Sequence, residues 1–318
     1  MAVTVVLALV AGCTPVAADD PASTPANDES RASLNAAAGV YVRLVDVLNR
    51  LYDKCMAGKG FTVHPRHEPV DPASFTAKEP PLDRPENLDD ARKYGYRISA
   101  APEVAPTEKV VEPDPFDAQP EEVRRQYAEG LTGPGNPNRG ERTRPGDKER
   151  DVFVMPDGNK QFVYKQGCQP ETDRAVLGDV KRFVELRYAA TSGLDHAVHN
   201  AAAADPGASA ARAAWISCMS GRGYPGVTDS VDAARKAESY YENVDQANAD
   251  AVRQARDSEI EQAVAHAQCA EQTRVNEALQ AAWNRELATY LATHEADLVA
   301  WQEFSEASLT RAQQMLAS

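Results

Sequence analysis

The chain has 318 residues, 42% of them apolar but with alanine inflating that figure, aromatics at only 7%, and a formal net charge of −14. Large side chains are therefore thinly spread, and a narrow core between packed helices is expected. The acidic field repels a phosphate backbone, so no nucleic-acid partner is expected; beyond the first few positions no run of about 18 apolar residues exists, so no transmembrane helix is expected.

At the N-terminus, Val3 to Val10 form a short apolar run followed by Ala11, Gly12 and Cys13. The run is too short to span a bilayer but fits the apolar region of a secretory signal. The stretch "LVAGC" resembles a bacterial lipobox, in which small residues admit the peptidase and the cysteine thiol receives a diacylglyceryl group. The resemblance implies cleavage before Cys13 and lipidation of that residue, with 1–12 as the signal peptide. No Lys or Arg precedes Cys13, so the chain as given is expected to begin inside the signal. Residues 13–30 are small, acidic and Pro-containing, as a flexible tether would be. The expected location is the extracellular face of the cell membrane, with the N-terminal lipid as the membrane contact.

Two helical units are expected after the tether, 31–205 and 206–318. A helix over Ser30 to Met56 crowds Val40, Val42, Leu44, Val45, Val47, Leu48, Leu51 and Tyr52 on a broad face. A Pro-rich passage from about Thr62 to Pro145 follows, with short helical pieces at "NLDDARKYGY" and, starting at Pro120, "QPEEVRRQYAEGL". The tract "TGPGNPNRGERTRPGDKER" reads as a polar loop. In "DVFVMPDGNKQFVYKQGC" two apolar runs flank Asp157-Gly158, the pattern of a small β-hairpin. A helix from Glu171 to Ala204 is expected next, then one from Ser209 that delivers Cys218. Nineteen of the 21 prolines precede residue 171, and from Val227 to the end there is neither Gly nor Pro. That composition points to a helix over Ser230 to Arg256 antiparallel to a second reaching from Asp257 to Leu316. The second carries a largely apolar stripe through Ile260, Val264, Ala267, Val275, Leu279, Ala282, Leu287, Tyr290, His294, Leu298 and Trp301.

The most informative feature is a repeat. "CMAGKGF" begins at Cys55 and "CMSGRGY" at Cys218, with Tyr52 and Trp215 three residues before each cysteine. "LDDARKY" from Leu88 echoes "VDAARKA" from Val231, and "CQPET" from Cys168 echoes "CAEQT" from Cys269. Each unit is expected to bring its aromatic and its cysteine on one helix face. A glycine then ends the helix in the left-handed region, Lys59 or Arg222 lies in the last turn, and Phe61 or Tyr224 folds back onto the helix. Four cysteines remain beside Cys13, which allows three pairings in an exported protein. The repeat favours one bond per copy, Cys55–Cys168 and Cys218–Cys269, each joining the "CMxG" helix to the helix that starts at its partner. Each would contribute roughly 3–5 kcal/mol by restricting the unfolded chain. The expected fold is thus mainly α and elongated: two divergent disulfide-pinned helical repeats, a long C-terminal helical hairpin and a Pro-rich insertion.

The order lipobox, acidic tether, "CMxGKGF", "ARKYGY", "YAEGLTG", "GC" and "AHAQC" resembles uncharacterised secreted lipoproteins of actinobacteria, the high-GC Gram-positive bacteria. The resemblance implies an exported, membrane-tethered, mostly helical protein and brings no catalytic residues. The residues themselves show no GxSxG, Walker or dinucleotide-binding pattern. The paired histidines of "HPRH" (His64, His67) and "HAVH" (His196, His199) lack a third ligand in sequence, so no metal and no cofactor are expected. His266, three residues before Cys269, lies within reach of its sulfur, and a disulfide is preferred there over a Cys–His nucleophile. Arg92, Lys93 and Tyr94, with Arg235, Lys236 and Tyr240, recur as bases beside aromatics. They are the candidate binding surface for an unknown envelope partner, a glycan or a peptide; the competing reading is packing with exposed charges. The expected function is non-catalytic, an envelope structural or binding role. The alternatives are an envelope hydrolase with its site in the first-repeat insertion, or a metal- or solute-binding lipoprotein.

Overall fold

The structure, a computed structural model, describes residues 25–72, 85, 87–98, 113–133 and 150–318. Cys13 with its expected signal, the tether up to residue 24, much of the Pro-rich passage and the polar tract at 134–149 lie outside the described residues.

The described residues form a mainly α fold. In chain order the helices are α1 (Pro25–Gly58), α2 (Leu88–Tyr94), α3 (Glu121–Thr132), α4 (Cys168–Leu177), α5 (Val180–Ala190), α6 (Ser192–Ala204), α7 (Pro206–Gly221), α8 (Ser230–Glu238), α9 (Ala249–Thr273), α10 (Val275–Thr293) and α11 (Glu295–Ala317). Strands β1 (Arg150–Val154) and β2 (Lys160–Tyr164) pair antiparallel between α3 and α4, with Val152 opposite Phe162. The turn is the one expected: Gly158 takes φ +84°, and the Asp157 carboxylate accepts the Asn159 N–H at 3.1 Å. Phe153 and Val163 pack beneath the hairpin against Val184 and Tyr188, while Val152, Val154 and Phe162 face solvent.

Helix starts follow capping chemistry. Asn87, Asp179, Asp205, Asp229 and Asn248 each accept a first-turn N–H through the side chain, and Pro206 occupies the first turn of α7. Asp205 also accepts from Arg285 of α10 at 2.6 Å. Its carboxyl is held below the usual carboxylate range, chiefly by the Ala208 backbone N–H and then by Arg285. The expected unit boundary at 205/206 is therefore a capped α6–α7 corner tied to α10.

Two larger cores result, and neither follows the division into 31–205 and 206–318. In the first, α1 packs with α4, α5, α6, α10 and α11 around Leu34, Leu44, Leu186, Leu287 and Trp301. In the second, α7, α8 and α9 enclose Trp215, Met219, Ala233 and Ala263 together with Ala91 and Tyr96 from the first half of the chain. The C-terminal helices thus close the N-terminal core, and α2 belongs to the C-terminal one.

Several helix spans differ from expectation. α1 begins at Pro25, so the last six positions of the expected tether are helical. The stretch from Glu171 to Ala204 is three helices, broken at Gly178 (φ +72°) and Thr191. The helix over Ser230 to Arg256 is interrupted: α8 gives way to a 3-10 turn at Ser239–Tyr241, and α9 starts after Asn248. The helix from Asp257 to Leu316 is broken at Arg274, which adopts left-handed φ +54° and ψ +36°, and again at His294. Neither break has a Gly or Pro to announce it. A left-handed non-glycine costs roughly 1–2 kcal/mol, which separate packing of α9 in one core and α10 in the other offsets. The buried face of α9 also departs from the expected stripe. Ile260 and Val264 are half-buried, while Glu259, Gln262 and His266 are fully buried.

Candidate functional site

Both "CMxG" stretches form the same joint. The Phe61 N–H donates to the Met56 carbonyl (3.2 Å) and the Gly60 N–H to that of Ala57 (2.9 Å); Tyr224 to Met219 (3.0 Å) and Gly223 to Ser220 (3.1 Å) repeat the pattern. This is a Schellman helix end, with the aromatic packed back onto a buried methionine. The left-handed residue in each is the second glycine, Gly60 (φ +97°) or Gly223 (φ +93°), not the first. Lys59 and Arg222 follow the last helical residue rather than lying in the last turn. The disulfides are Cys55–Cys168 and Cys218–Cys269, each with Cα atoms 5.7 Å apart. Cys168 opens α4 as expected, whereas Cys269 lies late in α9 instead of at a helix start.

The first joint positions a pocket. Joining Cys55 to Cys168 sets the end of α1 against the start of α4, so Tyr52, one turn before Cys55, meets Asp173, just over one turn after Cys168. The Tyr52 hydroxyl donates to Asp173 Oδ1 at 2.5 Å. Around this pair lies a cavity of about 300 Å³ between α1, α4, α5 and β2. Its walls come from helical periodicity: Tyr41, Val45, Leu48, Asn49 and Tyr52 on α1, Gln169, Asp173 and Leu177 on α4, and Val180, Phe183, Val184 and Arg187 on α5. Phe162, Val163 and Tyr164 of the hairpin form the remaining side. Burial pushes the Asp173 carboxyl up to about 6, against the opposing pull of the Tyr52 hydroxyl and the Arg187 and Arg174 charges. Burial and then the Asp173 charge hold the Tyr52 phenol far above its usual range. Arg187 reaches the Tyr41 hydroxyl at 3.5 Å. The Asn49 and Gln169 amides line the cavity without a hydrogen bond to any described residue. Aliphatic walls with a few convergent polar groups are what a small-molecule site requires.

The expected binding surface is placed differently. Arg92 pairs with Asp89 on its own helix, and Lys93 lies over the Tyr94 ring at 4.7 Å, with the Arg97 guanidinium also over that ring. Arg235 pairs with Asp232, and Lys236 donates to the Pro225 carbonyl at 3.2 Å. The Tyr240 hydroxyl is turned inward onto buried Gln262 at 2.7 Å. α2 and α8 both pack on α9, but their caps show the two segments offset by one residue. Aligning Asn87 with Asp229 matches buried Ala91 to buried Ala233, which leaves the basic pairs out of register.

The polar stripe of α9 sews these segments down. Glu259 accepts the Ile98 N–H (3.1 Å) and the Tyr241 hydroxyl (2.5 Å), and Gln262 donates to the Ala233 carbonyl (2.6 Å). His266 contacts the Tyr96 hydroxyl at 3.0 Å and the edge of Trp215, rather than the sulfur of Cys269. Burial lowers His266 to about 4.

The other histidines are dispersed. His67 bonds Asp53 at 3.0 Å and His64 bonds the Tyr127 hydroxyl at 3.0 Å, joining the "HPRH" pair to the end of α1. His196 lies 3.3 Å from the Asn159 amide, and both His196 and His199 are exposed. Among the described residues, no group of three or more His, Cys, Asp or Glu is arranged to hold a metal. No helix of the described residues is long and apolar enough to cross a membrane. No protein-family model, curated protein or solved structure matches the chain.

Proposed function

We propose that the protein is an exported, lipid-anchored, non-catalytic binding protein of the cell envelope, with the α1–α4–α5–β2 pocket as its ligand site. The observation that carries this reading is the pocket's polar set: two amides without a hydrogen bond to any described residue, beside the Asp173–Tyr52 pair. The lining supplies a single carboxyl and, among the described residues, no serine, cysteine, histidine or lysine, a set suited to holding a ligand. The anchor rests on "LVAGC", which resembles a lipobox, and on the small, acidic residues that follow it. The eleven residues 14–24 between Cys13 and α1 span at most about 40 Å, which limits how far the start of α1 can stand from the anchor.

Two variants test the parts separately. Cys13→Ala should move the protein from the membrane fraction to the medium; continued membrane retention overturns the anchor. Asn49→Trp fills the cavity from α1. A dialysable, protein-free fraction of the envelope should raise the melting temperature of the parent chain and leave that of Asn49→Trp unchanged, and equal shifts would remove the pocket from the reading.

A further inference from the structure

We infer that the pocket takes a single neutral pyranose ring, its hydroxyls held by Asn49, Gln169 and Asp173. The inference deepens the binding reading above and rests on it.

Four observations lead there. The Asn49 and Gln169 amides each offer a donor and an acceptor, and neither is spent on the described protein. A hydroxyl presents both functions and can serve either amide. Asp173 commits Oδ1 to Tyr52, and Oδ2 has no hydrogen bond to a described residue, so one further acceptor faces the same space. The lining carries one charge of each sign: a cationic ligand meets Arg187, and an anionic one meets the Asp173 carboxylate. A net charge on the ligand gains little there, whereas a neutral polyol satisfies each group without desolvating an unpaired charge. Finally, a volume of about 300 Å³ is at the small end of ligand pockets, the scale of one ring rather than a chain.

Saturation-transfer NMR on the full chain tests this with methyl glucoside, methyl galactoside, methyl mannoside and methyl N-acetylglucosaminide at millimolar concentration. Glucuronate and glucosamine serve as charged rings of the same shape. At least one neutral glycoside should bind, both charged rings about tenfold more weakly or worse, and Asn49→Ala and Gln169→Ala should each lower affinity about tenfold. Circular dichroism and the melting temperature confirm that the variants fold, and Gln169→Glu provides a second substitution of unchanged shape. Failure of every neutral ring to bind, tighter binding of a charged ring, or undiminished binding by the folded variants overturns the inference. If the envelope fraction still protects the parent chain while no neutral pyranoside binds, the sugar assignment falls and the binding reading stands. If neither acts, both fall.

Discussion

Asp173 and His266 are displaced by burial in opposite senses, and their pH signatures oppose each other. Asp173 rises from its ordinary 3.8 to about 6, so the folded state holds its proton longer than the unfolded chain does. Its contribution is fully present below pH 3.8 and is lost as pH rises through about 6. His266 falls from 6.5 to about 4, so its contribution is present above pH 6.5 and is lost as pH falls toward 4. Each swing is roughly 3 kcal/mol, and between pH 4 and 6 they offset one another. Urea melts across this window should show Asp173→Asn gaining on the parent chain by up to about 3 kcal/mol as pH rises from 4 to 6. His266→Gln should gain on the parent as pH falls from 6.5 to 4. Differences independent of pH would contradict both assignments. Neither role was legible in the sequence. With 48 acidic residues, no single aspartate stands out, and the spacing of His266 from Cys269 pointed to the sulfur rather than across the core to Tyr96 and Trp215.

At the scale of elements, the repeated seven residues were legible in the helix-ending glycine and the returning aromatic, but the base follows the last turn and the methionine's contact was not foreseen. Met supplies the buried contact, the second glycine the left-handed turn, and the aromatic the return onto the helix. What spacing left open was which glycine takes the positive φ. Gly58 and Gly221 are helical with open space where a Cβ would stand, so alanine at either should stabilise by roughly 0.5–1 kcal/mol. Gly60 and Gly223 also have open space but positive φ, so alanine there should cost roughly 1–2 kcal/mol from backbone strain alone. Thermal melts of the four variants should separate into those two pairs; one common effect would contradict the assignment. The hairpin was legible from Asp157-Gly158 between apolar runs. The long C-terminal helix was misread because a helix can break at Arg274 under tertiary packing without a residue that advertises it.

At the scale of the molecule, the sequence disclosed two matching cysteine joints and their sulfur pairing but not the way the two halves of the chain interlace. α1 packs along α11 and α2 is buried against α9, contacts between distant parts of the chain that no local pattern encodes. The loops closed by the disulfides span 113 and 51 residues. Replacing Cys55 and Cys168 by Ser should cost about 5 kcal/mol, and replacing Cys218 and Cys269 about 4. Because the first bond also sets Tyr52 against Asp173, its loss should abolish ligand protection of the pocket, whereas loss of the second should lower stability and leave binding intact. The pocket itself was hidden because its walls come from α1, α4, α5 and β2, each of which reads alone as an ordinary packed element. The proposed ligand site is this pocket and not the basic surface of α2 and α8. Amide hydrogen exchange of the full chain, with and without the dialysable envelope fraction, tests it most directly. Slower exchange confined to residues 45–52, 160–173 and 180–187 is the predicted result, and slower exchange confined to 88–98 and 230–241 would contradict it.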